Sequence, residues 1–361
     1  MTSAADTLGI YIHVPFCLRK CPYCDFYSCE NRLYDREDYV QAVCRNLRYY
    51  GDGSAVDTIY FGGGTPSLLT PDGVEEILRC AELAFSLQAP EITMEVNPAT
   101  VTRGTLLGYR KAGVNRISIG VQDLHPDALR NLGRLHSAEQ AIQTVEDAQA
   151  AGFSNISCDL MIGTKGQTPA RLAETLEKLT ALPITHISAY LLKIEEGTPY
   201  ARQNMQAEIP TEEEMADLYL QMVKFLNEKG FLQYEISNFA KKGYESRHNC
   251  RYWKCQPYLG IGPAAHSCRE TRFFVPSDLD TFIKEAHQSV CTEDETPCTM
   301  EERIMLGLRL TEGIPYDWLD ERQRRLTERF CKGGLMETDG TRIRFTPEGF
   351  LVSNAVLAQL L

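Results

Sequence analysis

No apolar run among the 361 residues approaches the roughly 20 needed to span a bilayer. The opening MTSAADTLGI has neither a basic head nor a continuous apolar core. The chain is therefore not expected to be an integral membrane protein and is read as cytoplasmic. Basic charge is scarce too: 37 Lys and Arg stand against 49 Asp and Glu, a formal net charge of −12, with no basic stripe. Nucleic-acid binders gather Lys and Arg to meet phosphates, so nucleic acid is not an expected partner. Internal repeats and low-complexity tracts are absent as well.

What is present suits an ordinary globular protein. With 43% hydrophobic and 24% charged residues, the chain can bury a full core as one large domain, or a large one with a smaller companion. Thirteen cysteines would suggest a disulfide framework in a small secreted chain, but this chain is long and their spacing uneven. Most are expected to be free thiols, with Cys44, Cys80, Cys158 and Cys331 acting as small buried hydrophobes.

Short β-rich runs recur at 10–14, 56–61, 91–96, 114–119, 154–160 and 184–191. Helix-like segments lie between them, around 35–50, 71–87, 102–112, 137–151 and 168–181, two of them opened by Thr70-Pro71 and Thr168-Pro169. This alternation predicts parallel strands covered by helices, and the unusual residues fall just after strands, where barrels of this class carry their chemistry. Beyond 200 the pattern changes. A helix over about 211–229 precedes a polar aromatic stretch, and the acidic segment 291–302 reads as a linker or the start of a helix. The last 60 residues read as helices with a hairpin turning at Asp339-Gly340, compatible with a winged-helix cap. The expected division is a core barrel over 1–235, an extension over 236–290 and a C-terminal α+β domain over 291–361.

Within YIHVPFCLRKCPYCDFYS, three cysteines occupy eight positions as Cys17-x3-Cys21-x2-Cys24. Clustered thiolates select zinc, copper(I) or iron–sulfur clusters. Zinc would need a fourth ligand, for which Cys29 and His13 stand nearest. A cubane cluster usually takes four cysteines, so three would leave one iron open for chemistry.

The triad, with Tyr23 just before its third cysteine, resembles the signature of the radical S-adenosylmethionine (SAM) superfamily. The resemblance implies a partial (β/α)6 barrel and a [4Fe-4S] cluster on Cys17, Cys21 and Cys24 whose open iron is chelated by SAM. In that family one electron from the cluster cleaves SAM to a 5′-deoxyadenosyl radical, so a reducing donor such as flavodoxin or ferredoxin is also implied. The cofactors carry the hard chemistry and the protein positions them.

Further motifs agree. The glycines of FGGGTPS let backbone approach a ligand closely, and the motif is similar to the family's glycine-rich contact to the methionine amino group, which implicates Gly63, Gly64 and Thr65. Glu95 in MEVNP is placed to bond a ribose hydroxyl or an ammonium. Together with Tyr11, the residues Gln122, Arg134 and Asp159 match a pattern of the oxygen-independent coproporphyrinogen III oxidase family, HemN and its relatives. The likeness runs from Tyr11 through GIGPAAHS into the C-terminal domain, and implies that these positions line the SAM site.

Two departures separate the chain from the oxidases of that family. Phe26 stands where they carry a fourth cysteine, and only 16 residues precede Cys17 where they have a long extension. Both match the HemW branch, whose members act as haem chaperones. HNCRYW, from His248 to Trp253, resembles that branch's H-N-x-x-Y-W motif. Imidazole is a common haem ligand and aromatic rings stack on a flat macrocycle, so His248, Tyr252 and Trp253 are the expected haem contacts. Haem and a haem-accepting protein are then the implied cargo and partner. A radical enzyme acting on a porphyrin(ogen), such as coproporphyrinogen III, is the alternative. A rival use of the same region is a second metal site on His248, Cys250, Cys255, His266 and Cys268.

Overall fold

In a computed structural model, which describes residues 7–361, six parallel strands form the centre of a twelve-stranded sheet. They are β1 (Leu8–Val14), β2 (Ala55–Gly63), β3 (Ser86–Val96), β4 (Arg116–Gln122), β5 (Asn155–Ile162) and β6 (His186–Leu191). Strand β1 reads LGIYIHV and is buried on both faces, as a parallel strand under helices must be. Ile10, Ile12 and Val14 join the core beneath the covering helices, while Tyr11 and His13 project to the other face.

The crossover helices are α1 (Arg36–Tyr50), α2 (Pro71–Ala84), α3 (Arg103–Ala112), α4 (Pro126–Asn131), α5 (Ala138–Ala150) and α6 (Pro169–Thr180). The two Thr-Pro signals act as expected: the Thr70 and Thr168 hydroxyls accept from the backbone N–H groups of Gly73 and Arg171, with proline in the first turn. Helix α2 stops at Ala84, short of the expected 87, because residues from Ser86 onward are drawn into β3 by pairing with β2.

The sheet then extends at both ends. Strands β7 (Leu232–Glu235) and β8 (Asn238–Ala240) add antiparallel beyond β6. On the other side β9 (Tyr258–Ile261) lies parallel to β1, followed outward by β10 (His266–Cys268), β11 (Arg272–Phe274) and β12 (Cys291–Asp294). The acidic segment 291–302 is thus neither wholly linker nor wholly helix: it begins as the outermost strand, and a helix starts only at Met300. The fold is α/β, a partial barrel with a smaller C-terminal domain.

That smaller domain follows the order helix Met300–Gly307, strand Ile314–Pro315, helix Glu321–Lys332, hairpin Met336–Thr338 and Arg342–Phe345, then two closing helices. The hairpin turns at Asp339-Gly340, with Gly340 at φ 88°, a value that glycine adopts without strain. Backbone bonds from Thr311 N–H to Tyr234 O (3.0 Å) and from Ile236 N–H to Arg309 O (3.0 Å) join the domain to the sheet edge.

Candidate functional site

The loop after β1 carries the three cysteines. Cys17 is buried, while Cys21 and Cys24 are half-buried and linked by a turn in which Cys24 N–H donates to Cys21 O at 3.1 Å. Burial pushes the Cys24 thiol above its usual range. The loop's place is fixed from behind by the glycine turn that ends β2. Gly64 N–H donates to Val14 O at 2.8 Å, and a Cβ on Gly64 would lie 2.7 Å from Phe16 O. Gly63 has φ 108° and packs against the His13 ring, which a side chain there would strike.

Two residues from later loops reach the thiols directly. Thr65 Oγ1 lies 3.5 Å from Cys17 Sγ. Arg134 Nη1 donates to Cys21 Sγ at 3.5 Å, and its Nη2 donates to Gly120 O at 2.9 Å. Beside the cysteine loop is a cleft of about 110 Å³ whose walls include Gly64, Thr65, Glu95, Gln122, Arg134 and Asp159. Six of the sequence-derived candidates therefore meet in one place, at the C-terminal ends of the parallel strands. Tyr23 packs near Tyr200, and Tyr11 lies on β1 with its hydroxyl 3.2 Å from His13 Nδ1.

Glu95 and Asp159 face the barrel interior rather than open water. Burial, with the charge of Asp159 adding to it, raises Glu95 to about 7, although Tyr60 OH donates to it at 2.9 Å. Burial raises Asp159 too, against the Ser118 hydroxyl that donates to it at 2.9 Å. The cleft thus offers acceptors of adjustable charge beside a permanent guanidinium, a set suited to a zwitterion with hydroxyl groups.

The HNCRYW segment is a helix, α7 in the barrel's own series (Arg247–Trp253), capped by Ser246. It lies against the N-terminal halves of β1 to β3, the end opposite the cysteine loop. Its backbone N–H groups at Arg247 and His248 donate to Glu91 at 3.3 Å, and Arg251 holds Thr7 O (2.9 Å), Thr58 Oγ1 (3.1 Å) and Asp57. His248 is fully buried, with Nδ1 at 2.9 Å from Thr58 Oγ1 and Nε2 at 3.0 Å from Tyr252 OH. Its ring stacks on Tyr60 and Tyr11, and burial lowers its pKa to about 3. Both ring nitrogens are spoken for. Nor do Tyr252 and Trp253 face the same space: Tyr252 turns with His248 into the barrel, whereas Trp253 lines a crevice against Gly307, Leu310 and Trp318 of the C-terminal domain.

Of the rival metal site, His248, Cys250 and His266 stand apart, while Cys255 and Cys268 both approach Cys298. His248 is sequestered as described, His266 lies 3.5 Å from Glu293, and Cys268 gathers instead with Cys298, their Sγ atoms 3.9 Å apart. Cys298 Sγ in turn lies 3.7 Å from Cys255 O. Among the described residues, no three His, Cys, Asp or Glu side chains close on a single metal ion.

Sequence reasoning passed over Thr58, Tyr60, Ser118 and Arg251. Tyr60 and Ser118 alternate inward along β2 and β4, a signal readable once the strand register is known. Arg251 sits at a variable place in the six-residue motif, and nothing in its neighbours marks it.

Comparison with known proteins places this site in context. A family model for the radical SAM superfamily matches residues 11–179, and one for the HemN C-terminal domain matches residues 299–352. The heme chaperone HemW of Escherichia coli K12 is 38% identical over 264 residues, covering 72% of this chain and 69% of the relative. That of Bacillus subtilis 168 is 31% identical, covering 97% and 98%. The mitochondrial radical S-adenosyl methionine domain-containing protein 1 of Danio rerio is 33% identical, covering 99% and 88%. The solved structure of E. coli coproporphyrinogen III oxidase (HemN) superposes with a TM-score of 0.83 at 21% identity, covering 99% of this chain and 92% of that one. The chain belongs to the radical SAM superfamily and, within it, to the HemN-like family in the branch of the HemW proteins.

Proposed function

We propose that the protein is a haem chaperone, which binds haem and passes it to an acceptor haemoprotein, and which carries a [4Fe-4S] cluster on Cys17, Cys21 and Cys24 with SAM at the open iron. The single observation that carries the reading is the identity to HemW proteins over nearly the whole chain, 97% of it in the B. subtilis case. Phe26, at the place where the oxidases of the family carry a fourth cysteine, supports it as a departure from the oxidase pattern.

The donor set fits these groups. Three thiols come from one short loop, Arg134 Nε is buried in the cleft wall without a hydrogen-bond partner among the described residues, and the backbone at Gly64 has no room for a Cβ. Bound there, the cluster and SAM would supply one-electron chemistry. The chain's own part is to hold and shield. Thr65 and Arg134 steady the cluster thiols, the Arg134 charge offsets that of the thiolates, and Glu95, Gln122 and Asp159 offer acceptors to SAM's ammonium and ribose hydroxyls. Gly63 brings backbone within reach of the methionine end, Tyr23 covers the loop, and Tyr11 closes the inner wall. The working location is the cytoplasm, and among the described residues no helix is long and apolar enough to cross a membrane.

The cleft beside the cysteine loop is the observation behind a second reading, a radical enzyme acting on a porphyrinogen. One experiment separates the two. Haem-loaded, anaerobically reconstituted protein is mixed with an apo-haemoprotein, and unloaded protein is supplied with coproporphyrinogen III, SAM and a reducing flavodoxin. Haem transfer without decarboxylation is expected; decarboxylation without transfer would replace the chaperone reading with the enzyme.

A further inference from the structure

We infer that haem seats in the tyrosine-lined cavity beside the cysteine loop, with His266 as its axial ligand, rather than on the HNCRYW helix. This rests on the chaperone reading and gives it a site. The cavity measures about 600 Å³, within the roughly 300–1,000 Å³ usual for pockets that bury a ligand of this size. Rings of Tyr11, Tyr27, Tyr252 and Tyr258 line it, and Phe26, 69% exposed, stands at its wall. Flat aromatic walls suit a flat macrocycle. The same cavity holds Lys20, whose ammonium donates to Phe26 O at 2.8 Å and keeps further donors for a carboxylate.

Only one imidazole in this cavity is free to bind iron. The other, His13, has Nδ1 at 3.2 Å from Tyr11 OH and Nε2 at 2.9 Å from Tyr27 O, and is buried. His248 below is saturated by Thr58 and Tyr252. His266 differs in each respect. Its side chain is 53% exposed, and its Nδ1 faces the Glu293 carboxylate at 3.5 Å while its Nε2 has no hydrogen-bond partner among the described residues. A ring nitrogen directed at a carboxylate, with the other left open, is the arrangement in which histidine usually binds metals. The sheet register explains the placement. Tyr11 pairs with Tyr60 on one side and with Gly260 on the other, and beyond Gly260 runs the His266 backbone, so close that a Cβ on Gly260 would strike its carbonyl oxygen. Phe274, opposite His266 on β11, stacks on the imidazole and fixes its plane.

The test is ferric-haem titration of the anaerobically reconstituted full chain, read by Soret absorbance and electron paramagnetic resonance, for the parent, His266→Ala and His248→Gln. Expected are a histidine-ligated signature in the parent, a weakening of ten-fold or more with a changed signature in His266→Ala, and return of the parental signature when free imidazole is added to that variant. His248→Gln keeps the parental signature in whatever fraction folds. A parent that binds no haem overturns the chaperone reading itself. A parent that binds haem, with His266→Ala matching it in affinity and signature, overturns this site while leaving the chaperone reading in place. A parental signature lost in folded His248→Gln and kept in His266→Ala moves the ligand to the helix.

Discussion

Arg134 touches Cys21 Sγ at 3.5 Å with one guanidinium nitrogen while another holds Gly120 O at 2.9 Å, so a residue beyond the fourth strand fixes a thiol on the loop after the first. The side chain ties the two ends of the cleft together and sets a fixed positive charge beside the Cys21 thiol.

Arg134→Gln should therefore weaken cluster retention by about 10–100-fold, the usual cost of removing a group that supports metal ligands. Iron and sulfide content after a timed chelator challenge measures it. Retention equal to the parent's would mean that the contact is incidental.

Gly64 is confined by backbone on two sides, with Phe16 O at 2.7 Å and Val14 O at 2.9 Å from where a Cβ would lie. Gly64→Ala should cost about 1–3 kcal/mol in a denaturant titration, as overpacking of a tight site does. SAM binding, followed by calorimetry, should fall with it. Unchanged stability would show that the loop yields at no cost.

Glu95 titrates at about 7 when folded, against an ordinary value of 4.5. Between those values the folded state holds the extra proton. The carboxyl's contribution to stability is thus full below about 4.5 and is lost as pH rises through about 7. Glu95→Gln stays neutral and lacks this slope. In cluster-free protein the Tm of the variant minus that of the parent should grow more positive from about pH 5 to 8, and a flat difference would contradict the assignment.

Arg251 is 1% exposed and bonds Thr7, Thr58, Pro257 and Asp57, pinning the motif helix under the strands. Arg251→Ala removes one of the two cationic partners of Asp57, leaving Arg247 at 3.3 Å, together with a buried set of donors, and should destabilise the fold by about 1–3 kcal/mol, read from the urea midpoint. Haem affinity of the folded fraction should hardly change, since the Arg251 side chain does not line the tyrosine cavity.

Much of this architecture is legible in the sequence because it is written in local signals. Period-2 runs and Thr-Pro caps mark the strands and helices, and residues such as Gly64, Glu95 and Gln122 stand out by falling at strand ends. The helix of HNCRYW is also legible as a motif, but its orientation is not. That His248 faces Thr58 inside the barrel while Trp253 faces the C-terminal domain depends on register across residues nearly 200 apart in sequence. For the same reason His266, in sequence, reads as one member of a cysteine-histidine cluster. Phe274, opposite it, and Tyr11, which lines the same cavity, belong to other strands, and no spacing along the chain announces them.

The most direct test of the central claim is the haem retained per chain when anaerobically reconstituted protein is loaded and then desalted. A chaperone keeps about one haem through the column and yields it to an apo-haemoprotein added afterwards. A protein that emerges with its cluster intact and no haem would contradict the account.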